Sequence, residues 1–427
     1  MSERPMKMIM EAIDREELAS LTRNLVDIPS NTGSEREIAQ YIVEWMEENG
    51  IKSFGQEIGD GRMNAVGILP GSGKGKSLSF NGHLDTSFEG GVEDLNILRE
   101  VVPEQRPISY IKEDAIYGLG AVNDKGPIAA YLIAAKAIRE IGAKIEGDIV
   151  LACVAGEIGK AQVDAYNGPK YRGKGVGTRH LVNSGMITDY AINTEPSAFG
   201  ITWAMAGAAF FKISTTGRAR YSSFTRRAGS LGESENAILK MIPVVEAIEE
   251  WGARFENVRQ YEFGGGVIVP KVTIGAISGG APYKPNFSPA VCSVYVDVRV
   301  PPGMGGLEVK DEIVDCLGRL GFEVEVEMFL FQRGYEAQGA EPLVQAISFA
   351  YFDLFGTDIP RIAAPYTSCW GDFNIYCEVG VPAVKIGPSP SISSYGEQVG
   401  GMAVDDLMKA ARLYAATMIR VCGGDGN

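Results

Sequence analysis

Three short apolar segments of this chain are each followed at once by acid–base side chains, and this arrangement limits the possible folds most strongly. The segments are residues 78–82, 149–155 and 190–193. The side chains that follow them are His83 with Asp85, Glu157, and Glu195. Continuous apolar runs of this length are typical of strands buried on both faces of a sheet. Because ligands of open α/β sheets gather at the carboxyl ends of strands, we expect these side chains to meet.

A fourth carboxylate, Asp124, lies in a glycine-rich loop of residues 117–126. This loop opens a helix, because Pro127 suits the first helical turn and residues 128–138 are apolar and rich in alanine. A glycine-rich loop alone is weak evidence for a site, and a lone His-x-Asp is most often a histidine satisfied in a turn. One histidine and three acids at strand ends are more specific, since buried ionised acids need a cation.

The order and spacing of these motifs resemble the M20 family of metallo-aminohydrolases and peptidases over nearly the whole chain. The resemblance implies that His83 is a metal ligand and that Asp85 orients it. It implies that Asp124 is a carboxylate able to bridge two metals, that Glu195 binds the first metal, and that Glu157 stands where the family binds the second.

Three positions depart from the family pattern. Gly156 stands where the family has its general base, a glutamate. Ser393 stands at the last metal ligand and Tyr221 at a lid residue, and both are histidines in the family. The chain has only two histidines, His83 and His180, so these losses do not depend on the alignment.

These losses predict one divalent transition metal per subunit, weakly held by His83, Asp124 and Glu195. Three ligands leave room for water and substrate. One imidazole and two carboxylates suit Mn, Zn, Co or Fe with little selectivity. Glu157 is then free to act as the general base, with Asp85 and Tyr221 as further catalytic residues. In the alternative, Glu157 remains a second metal ligand.

The element pattern predicts an α/β protein with two domains. Alternating strands and helices predict a catalytic domain, residues 1–206 and 330–427, in which a central mixed sheet is flanked by helices. Residues 207–329 follow a β-α-β-β-α-β pattern, which predicts an inserted ferredoxin-like α+β domain. In M20 proteins this insertion is the lid and dimerisation domain. Ser34-x-x-Glu37 predicts a capping box that opens an amphipathic helix.

Several polar or aromatic residues are candidates for substrate binding. Basic groups in the predicted lid can clamp a carboxylate, and tyrosines can contact a flat substrate. The candidates are Arg218, Arg220, Arg226, Arg227, Lys284, Asn286, Ser393 and Tyr395. Ordinary surface charge is the alternative for each basic residue, and filling of the space left by a lost histidine is the alternative for the tyrosines.

Composition restricts the partners and the compartment. The net charge of −14 argues against nucleic acid and against an anionic membrane surface. The chain contains neither an apolar run long enough to span a bilayer nor a recognisable leader. The six cysteines are scattered, which is typical of reduced thiols in a cytoplasm. The resemblance implies a homodimer or higher homo-oligomer.

Three classes of function remain open. The first is an ordinary M20 amidase, deacylase or dipeptidase, but this chain lacks residues that such enzymes use. The second is a catalytically inactive binding protein, although half of the site is intact. The third, which we favour, is an enzyme with altered chemistry at one metal. In its length and its missing histidines the chain resembles M20-like aminohydrolases of small aromatic carboxylates, and this resemblance implies conversion of 5-nitroanthranilate to 5-nitrosalicylate and ammonia. A ring nitro group takes up negative charge, so no carbonyl polariser is needed.

Overall fold

The computed structural model describes residues 3–393 and 396–423 and divides them into two compact units. The second unit comprises Ala204–Glu336 and Thr367–Trp370, and the first unit comprises the remaining described residues. The sequence predicted an insertion at 207–329. The second unit is instead discontinuous, because it also takes four residues from the part of the chain that follows the insertion.

Helices make up much of the first unit and one layer of the second. They are α1 Glu3–Ala12, α2 Arg15–Asp27, α3 Arg36–Glu48, α4 Gly126–Glu140, α5 Val176–Asn183, α6 Ala237–Val258, α7 Gly306–Gly318, α8 Glu341–Phe355, α9 Ala364–Thr367, α10 Phe373–Glu378 and α11 Val404–Cys422.

Strands form one principal sheet in each unit and several small ribbons. They are β1 Lys52–Gly59, β2 Arg62–Leu69, β3 Leu78–His83, β4 Tyr110–Lys112, β5 Ala115–Tyr117, β6 Ile149–Val154, β7 Tyr190–Asn193, β8 Ala204–Met205, β9 Gly207–Thr216, β10 Arg220–Tyr221, β11 Tyr261–Phe263, β12 Gly266–Ile268, β13 Lys271–Gly279, β14 Phe287–Ser288, β15 Val291–Val300, β16 Glu325–Gln332, β17 Tyr335–Glu336, β18 Ala383–Lys385, β19 Pro390–Ser393 and β20 Gly396–Ala403.

The principal sheet of the first unit has the order β1-β2-β6-β3-β7-β18. Strands β6, β3, β7 and β18 are parallel neighbours, whereas β1 and β2 are antiparallel. Helices α4 and α11 pack on each other and contact β3, while α3 contacts β1 and β2. The predicted central mixed sheet flanked by helices is confirmed. Its four parallel strands end at one edge, where their terminal side chains meet.

The second unit is an antiparallel sheet with the order β13-β15-β9-β16. Helix α6 contacts β9, β13 and β15, and α7 contacts α6 and β16. Phe211, Met241, Val296 and Ile313 belong to the buried apolar cluster between these layers. The α+β architecture predicted for the insertion is therefore the one observed.

The predicted capping box at Ser34 is wrong. Helix α3 begins at Arg36, and Glu35 precedes it without a side-chain hydrogen bond to the helix. The carboxylate of Glu35 instead accepts from Arg62 Nε at 2.9 Å and from Arg62 Nη2 at 2.6 Å, and both residues are buried. A buried ion pair of this kind outweighs a cap, since an unpaired buried charge is far more costly.

Among residues 3–393 and 396–423, no helix is both long enough and apolar enough to cross a membrane.

We predict that Arg62→Met lowers the free energy of unfolding by about 3–5 kcal/mol, because Glu35 is left charged, buried and unpaired. Urea denaturation measures the change. The double variant Glu35→Gln/Arg62→Met is expected to recover part of the loss. Arg36→Met is a matched control, since Arg36 pairs with Glu57 at the surface and such pairs contribute at most about 1 kcal/mol. Equal effects of Arg62→Met and Arg36→Met would contradict the prediction.

Candidate metal centre

Three buried side chains converge at the edge where the parallel strands end. Ligand atoms of His83, Glu157 and Glu195 all lie within 4.8 Å of one another. His83 is the last residue of β3, and the two glutamates follow β6 and β7. The parallel pairing of β3 with both strands brings the three side chains together. The structure thus places the predicted base Glu157 in one group with the two predicted ligands His83 and Glu195.

The imidazole of His83 is held from one side. Its Nδ1 lies 2.8 Å from the backbone oxygen of Asp85 and 3.6 Å from Asp85 Oδ1. Its Nε2 lies 3.2 Å from Asn123 Oδ1 and 3.9 Å from Glu157 Oε2. With Nδ1 held by Asp85, Nε2 is the ring nitrogen that faces Glu157, and it can bind a metal once it has lost its proton.

Asp85 also positions the loop that carries Glu157. Its carboxylate accepts from the backbone N–H of Glu157 at 2.9 Å and of Ile158 at 3.2 Å. The Thr32 hydroxyl donates to the same carboxylate at 2.8 Å. Asp85 therefore contacts both the predicted ligand His83 and the backbone of the predicted base Glu157. Because both of its carboxylate oxygens accept hydrogen bonds, it is not itself a candidate ligand.

Burial and mutual charge change the acidity of the central groups. Burial, together with the charge of Glu195, raises the pKa of Glu157 to about 8. Burial also raises the pKa of Asp124 well above its usual value. Burial alone would lower the pKa of His83, but Asp85, Glu157 and Asp124 raise it well above its usual value. These raised pKa values mean that Glu157, Asp124 and His83 favour their protonated forms unless a metal cation takes the place of the protons.

Two carboxylate oxygens fit this requirement for a cation. Asp124 Oδ1 and Glu195 Oε1 are buried and have no hydrogen-bond partner among the described residues. The other oxygen of Asp124 is 3.4 Å from the Thr194 hydroxyl, and the Asn123–Asp124 peptide bond is cis. A buried carboxylate oxygen without a donor is costly unless an ion binds it. Asp124 does not belong to the group of ligand atoms that lie within 4.8 Å of one another, which consists of His83, Glu157 and Glu195. An imidazole together with carboxylates suits Mn, Fe, Co or Zn.

Three buried ionisable groups near this centre were not predicted from the sequence. Lys385 Nζ donates to Glu195 Oε2 at 2.9 Å, and Lys174 acts electrostatically on Glu157 and Glu195. Asp372 accepts from the Thr178 hydroxyl at 2.6 Å, and burial raises the pKa of Asp372 to about 7. A signal for Lys385 was present in the sequence, because it interrupts the apolar run of residues 381–386.

The backbone at Gly156 excludes the missing glutamate. Gly156 has a φ of +72°, and a Cβ placed there would lie 2.2 Å from Arg62 Nη2 and 2.5 Å from Val176 Cγ1. Arg62 cannot withdraw easily, since it is paired with Glu35 and its Nη1 donates to the Arg172 carbonyl at 2.7 Å. The side chains of Arg62 and Val176 therefore leave no space for a glutamate at position 156.

The predicted lid residues lie in the second unit, where some already have partners. Arg220 Nη2 donates to Glu235 Oε1 at 2.9 Å and its Nε donates to Oε2, while Arg218 Nη1 lies 3.7 Å from Oε1. Lys284 Nζ lies 4.9 Å from the centre of the Phe287 ring. Tyr221 is 43% exposed, and its ring centre lies 5.7 Å from that of Phe287.

The remaining predicted lid residues line a cavity of about 480 Å³ within the second unit. Arg226, Arg227 and Asn286 contribute to its wall, together with Arg220. Of the two C-terminal candidates, Ser393 ends β19 but its side chain is not described, and Tyr395 lies outside the described residues. The structure thus groups three of the four predicted arginines with Asn286, and the roles of Ser393 and Tyr395 stay predictions.

We predict that His83→Ala abolishes binding of a divalent ion, whereas Glu157→Gln retains it with an affinity within about tenfold. The reason is that Glu157 is not among the three predicted ligands, whereas an alanine at position 83 removes the imidazole that is the nitrogen donor of the predicted ligand set. Metal content after dialysis and calorimetric titration with Mn²⁺ measure both. His180→Ala is the matched control, because His180 lies in α5 and outside this group. Loss of the ion in Glu157→Gln would make Glu157 a ligand.

Comparisons with known proteins identify the family. The sequence model of peptidase family M20/M25/M40 matches residues 79–420. The chain is 21% identical over 417 residues to [LysW]-lysine hydrolase of Deinococcus radiodurans, covering 96% of this chain and 99% of that protein. It is 26% identical over 322 residues to N-formyl-4-amino-5-aminomethyl-2-methylpyrimidine deformylase of Bacillus subtilis, covering 72% and 68%. The solved structure of human carnosine dipeptidase 1 has the same fold, with a TM-score of 0.72 at 15% identity and coverage of 97% and 98%. The chain therefore belongs to peptidase family M20/M25/M40 and is a metal-dependent hydrolase.

Proposed function

We propose that this hydrolase replaces the amino group of an electron-poor aromatic carboxylate with a hydroxyl group, and that 5-nitroanthranilate is the substrate to test first. The observation that carries the proposal is Gly156, where Arg62 excludes the side chain of the family's glutamate base. At the lid position Tyr221 replaces the polarising histidine. An amide needs stabilisation of its oxyanion, worth about two to three orders of magnitude in rate, whereas a nitro-substituted ring accepts the charge itself.

The number and identity of the metal are part of this proposal. We place one weakly held ion of Mn, Zn, Co or Fe at His83, Asp124 and Glu195. When bound, such an ion lowers the pKa of water and so supplies a nucleophile near neutral pH. The two buried oxygens without partners, Asp124 Oδ1 and Glu195 Oε1, support these ligands.

Glu157 is the proton carrier of the proposed reaction. Its carboxyl is buried next to the His83 imidazole, and burial raises its pKa to about 8. It accepts the proton that water loses as the ring C–O bond forms. It returns that proton to the amine nitrogen as the C–N bond breaks, so that ammonia leaves and the ring regains its aromaticity. A base whose pKa lies near the working pH suits both transfers.

The substrate carboxylate needs a cationic partner. All three arginines Arg220, Arg226 and Arg227 line the cavity of the second unit, but Arg220 is engaged by Glu235, so Arg226 and Arg227 suit this role better. Arginine binds a carboxylate through two parallel hydrogen bonds.

A second candidate function is hydrolysis of an amide or peptide bond in a small substrate. The relatives favour it, since their names describe a [LysW]-lysine hydrolase and an N-formyl-pyrimidine deformylase. Under this proposal Glu157 is still the base, but the carbonyl polariser comes from a residue other than histidine at position 221.

We expect ammonia release and an ultraviolet change on 5-nitroanthranilate, and no turnover of N-acyl amino acids or dipeptides. Glu157→Gln is expected to reduce the rate by about two to four orders of magnitude. Turnover of an N-acyl amino acid or a dipeptide, without any reaction on the ring, would favour the second candidate.

Variants of Tyr221 separate the two candidates in the same assay. If the protein is an aromatic aminohydrolase, Tyr221→His gains no amidase activity and Tyr221→Phe loses little. Amidase activity gained in Tyr221→His, with no reaction on the ring in any variant, would replace the first candidate by the second.

We further propose that the protein is a homodimer formed through its second unit. Strand β13 is an edge of the four-stranded sheet, and Ile277 on it is 63% exposed. On helix α6, Met241 and Val244 pack into the unit, whereas Ile238 and Ile242 are more than a third exposed. An exposed apolar edge strand is unfavourable in a monomer, and pairing with a second copy covers it.

We expect light scattering to give the mass of a dimer, and we expect Ile277→Lys to shift it towards the monomer. Phe349→Lys, which changes an equally exposed residue of the first unit, serves as the control and should leave the mass unchanged. A wild-type monomer at micromolar concentration would exclude the dimer.

A further inference from the structure

A buried lysine lies against one of the predicted metal ligands. Lys385 ends β18 and is 2% exposed, and its Nζ donates to Glu195 Oε2 at 2.9 Å. Its backbone exchanges two hydrogen bonds with Thr202, at 2.8 and 3.0 Å. Strand β18 also pairs in parallel with β7, the strand that leads to Glu195. The sheet therefore fixes the ammonium group and the carboxylate relative to each other.

This contact changes what Glu195 can offer to an ion. One of its oxygens is bound to the ammonium group, and Oε1 is the oxygen left without a partner. The charge of Lys385 also acts on Asp124, another acid with a buried oxygen that has no hydrogen-bond partner among the described residues. A lysine on a buried strand loses the hydration of its ammonium group. Contact with carboxylates is what compensates this desolvation cost.

We propose that Lys385 is a positioning residue that, as a fixed cation, supplies part of the positive charge of a second divalent ion and so limits the centre to one ion. The inference rests on the proposed function, because it assumes that His83, Asp124 and Glu195 hold a divalent ion. A second ion would need Asp124 and Glu157, and it would be repelled by the charge of the ammonium group, which already acts on Asp124. A purely structural ion pair would leave the number of ions unchanged.

The test counts ions in protein that has first been freed of metal. Calorimetric titration with Mn²⁺, with metal analysis after gel filtration, is carried out on wild type, Lys385→Met, Lys385→Arg and Lys136→Met. We expect one ion in wild type and about two in Lys385→Met, which is isosteric but uncharged. Lys385→Arg keeps the charge and should bind one. Lys136→Met, which breaks an ion pair with Glu17 in another part of the first unit, should also bind one.

The outcomes separate this inference from the proposed function. No ion in wild type would remove the metal site itself and with it the proposed function. One ion in both wild type and Lys385→Met, with affinities within twofold, would overturn only the role of Lys385. Two ions in wild type would overturn it as well, and that measurement stands even if Lys385→Met does not fold. Circular dichroism checks the fold, and Lys385→Gln is the replacement variant.

Discussion

The centre of this protein is governed by the cost of burying several carboxylates at one end of a parallel sheet. Glu157 and Glu195 are buried with ligand atoms within 4.8 Å of a single imidazole, and the buried Asp124 acts on that imidazole electrostatically. Each of these acids raises the proton affinity of its neighbours. Only cations can stabilise such a group in its ionised form. The chain supplies some of this charge itself, through Lys385, and leaves two carboxylate oxygens for an ion.

The residues packed behind Gly156 explain how this chain differs from the family pattern. Glu35 and Arg62 form a buried ion pair, and the guanidinium fills the space that a side chain at position 156 would need. Replacement of Gly156 by glutamate alone would therefore not restore the family's base. The difference lies in a set of residues that are packed together, and Glu157 is the acid that remains beside the imidazole.

Much of the fold could be predicted from the sequence, because long apolar strands and a β-α-β-β-α-β pattern are local signals. His83, Glu157 and Glu195 could be expected to meet, since each follows a buried strand. The small sheet β19-β20-β5-β4 was not predicted, because its short strands lie far apart in the chain. The ion pair of Glu35 with Arg62 and the contact of Lys385 with Glu195 were missed for the same reason. A buried charge can be noticed in a sequence, but its partner depends on tertiary packing.

The discontinuity of the second unit limits how this unit can be exchanged between related proteins by recombination. Ala206 N–H donates to the Thr367 carbonyl at 3.0 Å, the Thr367 hydroxyl donates to the Val267 carbonyl at 2.6 Å, and Val269 N–H donates to the Ser368 hydroxyl at 3.2 Å. A chimera that receives only residues 204–336 from a relative would keep the host's residues 367–370 against foreign strands. Recombination at the two ends of the insertion is thus not sufficient, and the two segments have to be inherited or transplanted together.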